Sequence, residues 1–198
     1  MTPSPRETPS PRERLIAGTI ALVRERGVAG TGITDLLARS DTARRSVYQN
    51  FPRGKAQLVE ESTRVAGQLM SSIIAEFTAT DGPVESLVAF VQMWKDTLEA
   101  SDFTAGCPIV AAALGGTEAP LAPAVAAEVF DDWMNLLAAQ LERAGVGESV
   151  ARSLAATTVC AIEGAAVLAI SSRSVRPLDQ VAVHLAELVS LHLGELRS

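Results

Sequence analysis

Arg44, Arg45, Ser46 and Gln49 crowd one short polar segment, and Val47 and Phe51 run through the same stretch four residues apart. On a helix, residues four apart share a face, so Val47 and Phe51 mark an inner side and the polar set an outer one. Guanidinium, hydroxyl and amide groups are the donors that meet base edges and phosphates of DNA. Arg44, near the start of the segment, suits guanine O6 and N7, a contact worth about 1–3 kcal/mol of discrimination when bidentate. Arg45 suits a neighbouring base or a phosphate, and Thr42, Ser46 and Gln49 suit either. Lys55 opens the next helix, where an ammonium and a helix N-terminus both attract phosphate. Thr31 is expected to cap the preceding helix and to touch the DNA backbone. The plainer alternative is a helical hairpin whose polar residues are only solvated.

The elements that must hold these residues follow from apolar spacing. Residues 33–39 carry Ile33, Leu36 and Leu37 on one face, 40–42 form a polar break, and 43–50 form the second helix, which together make a helix-turn-helix. A first helix over 12–26 packs through Leu15, Ile16, Thr19, Ile20 and Val23 and ends at Gly27. A long fourth helix starts near Gly54 with Leu58, Val65, Leu69, Ile73 and Phe77 along one face, so rotation at its far end moves the head. Asp81-Gly82-Pro83 breaks the chain before a fifth helix with Leu87, Val91, Trp94 and Leu98. A short helix after Gly106-Cys107-Pro108, then helices over 121–144 and 149–172, precede a last one that begins near Pro177 and reaches Leu196. No stretch alternates as a strand does. The expected fold is all-α: a polar, proline-rich tail over 1–11, a three-helix DNA-binding head over 12–57, and a helical effector-binding and dimerisation body over 58–198.

The order Thr31-Gly32, Leu36-Leu37-Ala38, Arg44-x-Ser46-Val47-Tyr48 and Phe51-Pro52-x-Gly54-Lys55-x-x-Leu58 resembles the DNA-binding domain of TetR-family repressors. The Phe-Pro-x-Gly-Lys ending is similar to the LmrA/YxaF-like branch. Gly106-Cys107-Pro108-Ile109, Glu163-Gly164-Ala165 and Arg176-Pro177-Leu178-Asp179 resemble the ligand-domain signatures of that branch. The resemblance implies a homodimer on a palindromic operator, Tyr48 against the DNA backbone, and release by a small lipophilic or aromatic effector. Two residues depart from the pattern. Asp41 stands where the family has a turn glycine, and Arg45 replaces a glycine of the recognition helix, so the operator is not borrowed from a relative.

Composition agrees with a two-part molecule. The 198 residues carry a formal charge of −6, but it is divided. Residues 1–64 hold 11 basic and 7 acidic side chains (+4), and residues 65–198 hold 6 and 16 (−10). A basic head on an acidic body presents one end to phosphate. Two cysteines make no disulfide framework, and a polar N-terminus without a signal sequence fits the cytoplasm. The apolar run 154–170 is interrupted by Thr157, Thr158 and Glu163, which favours a buried helix over a membrane span.

In the body, Phe77, Trp94, Phe103, Cys107, Phe130, Trp133, Met134 and Glu163 are the candidate effector-binding residues, because aromatic and sulfur side chains make adaptable apolar pockets. Each has a plainer reading as core. Glu163 suits a cationic or hydroxylated ligand; the duller account, preferred on sequence, is a carboxyl satisfied by a neighbouring hydroxyl or backbone group. Cys107, at a helix start, suggests redox sensing or, more simply, a buried thiol. His184 and His192 lie about 12 Å apart along one helix, too far to share a metal. No metal site, cofactor or catalytic residue is implied: there is no nucleophile–base pair, phosphate-cradling loop or zinc spacing. An enzyme therefore ranks behind a regulator, and the alternative regulator is a DNA-binding protein or activator without a small-molecule ligand. The last two helices are expected to form the dimer interface, with Ala155, Ala156, Ala161, Gly164, Ala165 and Ala166 allowing close approach and Leu185 and Leu188 supplying an apolar seam.

Overall fold

The computed structural model describes residues 9–80 and 82–194, and among these the chain is helical without strands. Three helices form the head: α1 (Pro11–Arg26), α2 (Ile33–Ser40) and α3 (Arg44–Asn50). Most of the expected tail lies outside the described residues, including the first of two Ser-Pro-Arg-Glu copies. The second copy starts α1. Ser10 Oγ accepts the Glu13 N–H at 3.3 Å, and Glu13 Oε2 accepts the Ser10 N–H at 2.7 Å, a reciprocal cap with Pro11 fitted at the first turn. The helix thus begins one residue earlier than its spacing suggests.

The turn between α2 and α3 is set by Asp41, which adopts a left-handed backbone (φ 47°, ψ 55°). Asp tolerates that region better than most non-glycine residues. Arg14 of α1 fastens the turn from below: its Nε donates to the Ser40 carbonyl at 3.1 Å and its Nη2 to the Asp41 carbonyl at 3.3 Å. Under the turn, Leu15, Leu22, Leu36, Val47, Phe51 and Leu58 are at most 1 % exposed and form the head's own core. Leu58 belongs to α4 (Lys55–Thr80), so the head's core extends past the expected boundary into the helix that enters the body.

The body comprises α4, α5 (Pro83–Ala100), α6 (Pro108–Ala113), α7 (Ala122–Arg143), α8 (Glu148–Ser172) and α9 (Arg176–Gly194). The face of α4 that packs is only partly the expected one: Leu58 is buried and Ile73 and Phe77 are half-buried. Val65 and Leu69 are solvent-exposed, whereas Val59, Ser62, Thr63, Ala66, Gly67 and Ile74 are buried, largely against α7. Gly67 permits this close approach: a Cβ there would fall 2.4 Å from Val129 Cγ2. Trp94, Leu98, Trp133, Ile162, Ala166 and Leu178 fill the central core. By length and composition α8 is apolar enough to cross a membrane, but Leu154, Ala155, Ile162, Ala165 and Ala169 are buried in the helical body, against α7 and α9. The expected Leu196 lies outside the described residues.

Candidate nucleic-acid interface and effector clefts

The outer face of α3 carries Arg44, Arg45, Tyr48 and Gln49, all exposed, while Val47 and Phe51 are fully buried beneath it. Ser46 is half-buried. Neither arginine has an ion-pair partner among the described residues, so both guanidiniums are open to an incoming polyanion. Tyr48 is 51 % exposed and its ring edge lies over Gly54, where a Cβ would sit 3.4 Å from Tyr48 Cε1. Gly54 also has φ +67°, so both space and backbone favour glycine there. The arrangement supports the α3 surface from below and leaves it free above.

Three residues of the expected interface are otherwise engaged. Thr31 is 2 % exposed and its hydroxyl donates to the Gly27 carbonyl at 2.8 Å. It does not cap α2, whose N-cap is Gly32 without a side-chain bond. Spacing alone marks a threonine near a helix start; it does not show that the preceding loop folds it inward. Lys55 does open α4, but its ammonium lies 3.1 Å from Glu118 Oε2 in the α6–α7 connection. Any phosphate there competes with that carboxylate. The Thr42 hydroxyl shares a 2.8 Å hydrogen bond with Ser40 Oγ, which itself donates to the Leu36 carbonyl at 2.7 Å.

Two clefts open from the body to solvent. The first lies among α4, α5, α7 and α8 and is walled by Phe77, Leu87, Phe90, Trp133, Leu137 and Ile162. Its polar groups are few. Gln140 donates to Ser86 Oγ at 2.7 Å and Ser86 donates to the Phe77 carbonyl at 2.9 Å, which satisfies that corner. Glu163 is the charged residue on the lining. The second cleft lies at the junction with the head, between Ile20 and Arg24 of α1 and Met70, Trp94, Cys107 and Pro108 of the body. Trp133 lines both.

Glu163 and Cys107 meet between the clefts. The Cys107 thiol donates to the Glu163 carboxylate, while Glu163 Oε2 is buried without a partner. Burial raises the Glu163 carboxyl to about 7, against a smaller lowering by the thiol. The neighbouring hydroxyl or backbone partner expected from sequence is therefore missing for Oε2. Burial, with Glu163 adding, pushes the Cys107 thiol well above its ordinary range, the reverse of what a helix start alone would do. Trp94 and Trp133 also keep their indole N–H groups buried without partners.

Of the eight candidate effector-binding residues, Phe77, Trp133 and Glu163 line the first cleft, and Trp94, Cys107 and again Trp133 the second. Three lie outside both. Phe130 packs edge-on against Trp133 with centroids 5.4 Å apart, Phe103 packs at the rim of the core, and Met134 joins a cluster with Ala138, Leu141 and Val146. Of the small residues expected at a dimer seam, Gly164 is exposed, but others turn inward. Ala155, Ala165, Ala166 and Leu185 are buried in the subunit's own core. Gly164 joins Thr157, Cys160, Val167, Leu168 and Ser171 in the outward stripe of α8, and Val183 and Leu191 of α9 are exposed as well. A link that sequence does not reveal joins head to body: Gly106 and Arg24 are hydrogen-bonded to each other.

Comparisons with known proteins agree with this architecture. Residues 15–62 match the family model described as bacterial regulatory proteins, tetR family, and residues 83–184 match that described as transcriptional regulator LmrA/YxaF-like, C-terminal domain. The chain is 37 % identical over 164 residues to an uncharacterised HTH-type transcriptional regulator of Mycobacterium tuberculosis, covering 80 % of this chain and 83 % of the relative. It is 26 % identical over 160 residues to the HTH-type transcriptional regulator LmrA of Bacillus subtilis, covering 79 % and 85 %. A TetR transcriptional regulator from Legionella pneumophila, 18 % identical, shares the fold with a TM-score of 0.82 over 92 % of this chain and 99 % of its own. With the helix-turn-helix head and the C-terminal-domain match on one chain, the protein belongs to the TetR family of bacterial transcriptional regulators, in the LmrA/YxaF-like group, and is a regulator rather than an enzyme.

Proposed function

We propose that the protein is a homodimeric repressor that holds a palindromic operator through α3 and lets go when a small lipophilic or aromatic effector enters the body. The observation that carries this reading is the division of α3: Val47 and Phe51 are fully buried, so Arg44, Arg45, Tyr48 and Gln49 are held outward on a fixed scaffold. Such a helix fits a major groove, with phosphate contacts setting position and base edges setting sequence. Thr42 and Ser46 flank it, and Lys55 reaches phosphate by leaving Glu118. The exposed stripes of α8 and α9 meet their counterparts on a second copy and form a four-helix seam.

The effector acts through α4, which lines both clefts and carries Lys55 at its other end. For release, it must bind the DNA-incompatible arrangement more tightly than the DNA-compatible one. Selection of bound sequences from random duplex DNA tests the reading. An inverted repeat with half-sites roughly one helical turn apart is expected; enrichment of no sequence, or of an unpaired half-site, removes the dimeric repressor. Thr158→Phe, which fills the first cleft, is expected to abolish effector response while operator binding persists.

A further inference from the structure

We propose that the first cleft is built for a lipophilic amine, whose protonated nitrogen is held by Glu163 Oε2 and whose apolar body lies among Phe77, Phe90 and Trp133. This deepens the effector reading above and rests on it. Glu163 lines the cleft, and its Oε2 is buried without a partner, an arrangement that costs a folded protein free energy unless something fills it. The other polar corner of the cleft is closed on itself through Gln140, Ser86 and the Phe77 carbonyl. The lining residues thus carry a vacant acceptor, Glu163 Oε2, as well as the unpartnered indole N–H of Trp133, and the acceptor calls for a donor on the ligand.

Charge decides which donor. No lysine, arginine or histidine lines this cleft, so nothing in the wall offsets an ionised Glu163. The Cys107 thiol supplies only a weak donor bond. A hydroxylated ligand gives a hydrogen bond and leaves the carboxylate charge buried. An ammonium gives both the bond and the opposite charge, and a charge-assisted bond is roughly twice as strong as a neutral one. Phe77, Phe90 and Trp133 line the same cleft, and aromatic ring faces attract cations and repel anions.

The test uses the full-length protein and three probes of one shape: 1-naphthylmethylamine, the neutral 1-naphthylmethanol and the anionic 1-naphthylacetate. Calorimetric titration at pH 8, where the amine is still protonated, is expected to rank amine over alcohol over acid, with the amine ahead of the alcohol by about tenfold. Glu163→Gln is expected to erase the amine's lead and leave the alcohol's affinity within about twofold. Equal binding of amine and alcohol to the wild-type protein overturns the proposal, and so does an amine preference that survives Glu163→Gln. Thr158→Phe separates this failure from failure of the cleft itself. If alcohol binding is lost in that variant but the amine holds no lead, the effector cleft stands and the amine does not. If none of the probes binds, or binding ignores Thr158→Phe, both fall.

Discussion

Arg24 and Gly106 hold each other by two hydrogen bonds: the Gly106 N–H donates to the Arg24 carbonyl at 2.9 Å, and Arg24 Nε donates to the Gly106 carbonyl at 3.0 Å. One residue lies in the last turn of the head's first helix and the other precedes Cys107, the thiol on Glu163. The two clefts and the DNA-binding head thus share a short, continuous set of contacts. Replacing Arg24 by methionine removes one of the two bonds and keeps most of the side chain. Operator affinity without effector is expected to change little, while the drop in affinity caused by a saturating effector shrinks by about fivefold. Fluorescence anisotropy on labelled operator, with and without effector, reads both quantities. An unchanged effector response assigns the coupling to α4 alone.

Arg44→Ala removes an exposed guanidinium without touching the head's core. Binding to the selected operator is expected to weaken by about 1–3 kcal/mol and preference to relax at one base pair in each half-site. Competition gel shifts against single-base variants measure both. If affinity and preference stay as in the wild type, Arg44 is not a reading residue.

Asp41 occupies a left-handed turn that glycine fills without strain. Asp41→Gly is expected to leave the melting temperature unchanged or raise it slightly. Asp41→Val, β-branched in the same conformation, is expected to cost the head about 1–2 kcal/mol. Thermal melts followed by circular dichroism check the pair; equal stability of all three chains contradicts the role given to this turn.

Glu163 makes stability depend on pH. Its folded carboxyl titrates near 7 against an ordinary 4.5, so between those values the folded chain binds more protons than the unfolded one. Stability therefore falls as pH rises from 4.5 toward 7 and stays lower above it, by an amount on the order of 3 kcal/mol if the whole shift is realised. Comparing melts at pH 8 and pH 6, the wild type is expected to gain stability at the lower pH and Glu163→Gln to gain less. Parallel pH profiles for the two proteins remove Glu163 as the cause.

The head was largely legible in the residues themselves. Three short helices with one narrow apolar face each have few ways to pack, so Val47, Phe51 and Leu36 declare the inside and Arg44, Arg45 and Gln49 the outside. The body resists the same reading because its helices have apolar neighbours on more than one side. Val65 and Leu69 fall at helical spacing with Leu58, yet α7 takes the adjacent face through Gly67 and leaves them in solvent. Ala155, Gly164 and Ala165 look alike as seam residues, but α8 turns the two alanines to its own subunit and leaves Gly164 outward with Cys160. Phe103, Phe130 and Met134 share the chemistry of the cleft walls and differ from Phe77 and Trp133 only in position. Thr31 shows the local version of the limit: a loop carbonyl, invisible in the sequence, claims its hydroxyl.

The tight crossing at Gly67 gives α4 a fulcrum. Lys55 lies 12 residues to one side and Phe77 10 to the other, so the arms measure about 18 Å and 15 Å at 1.5 Å per residue. Pushing the Phe77 end by 1 Å swings the Lys55 end by about 1.2 Å the opposite way if the helix stays straight. A side chain as small as alanine at position 67 would pry the two rods apart, and the molecule would lose its leverage before it lost its fold.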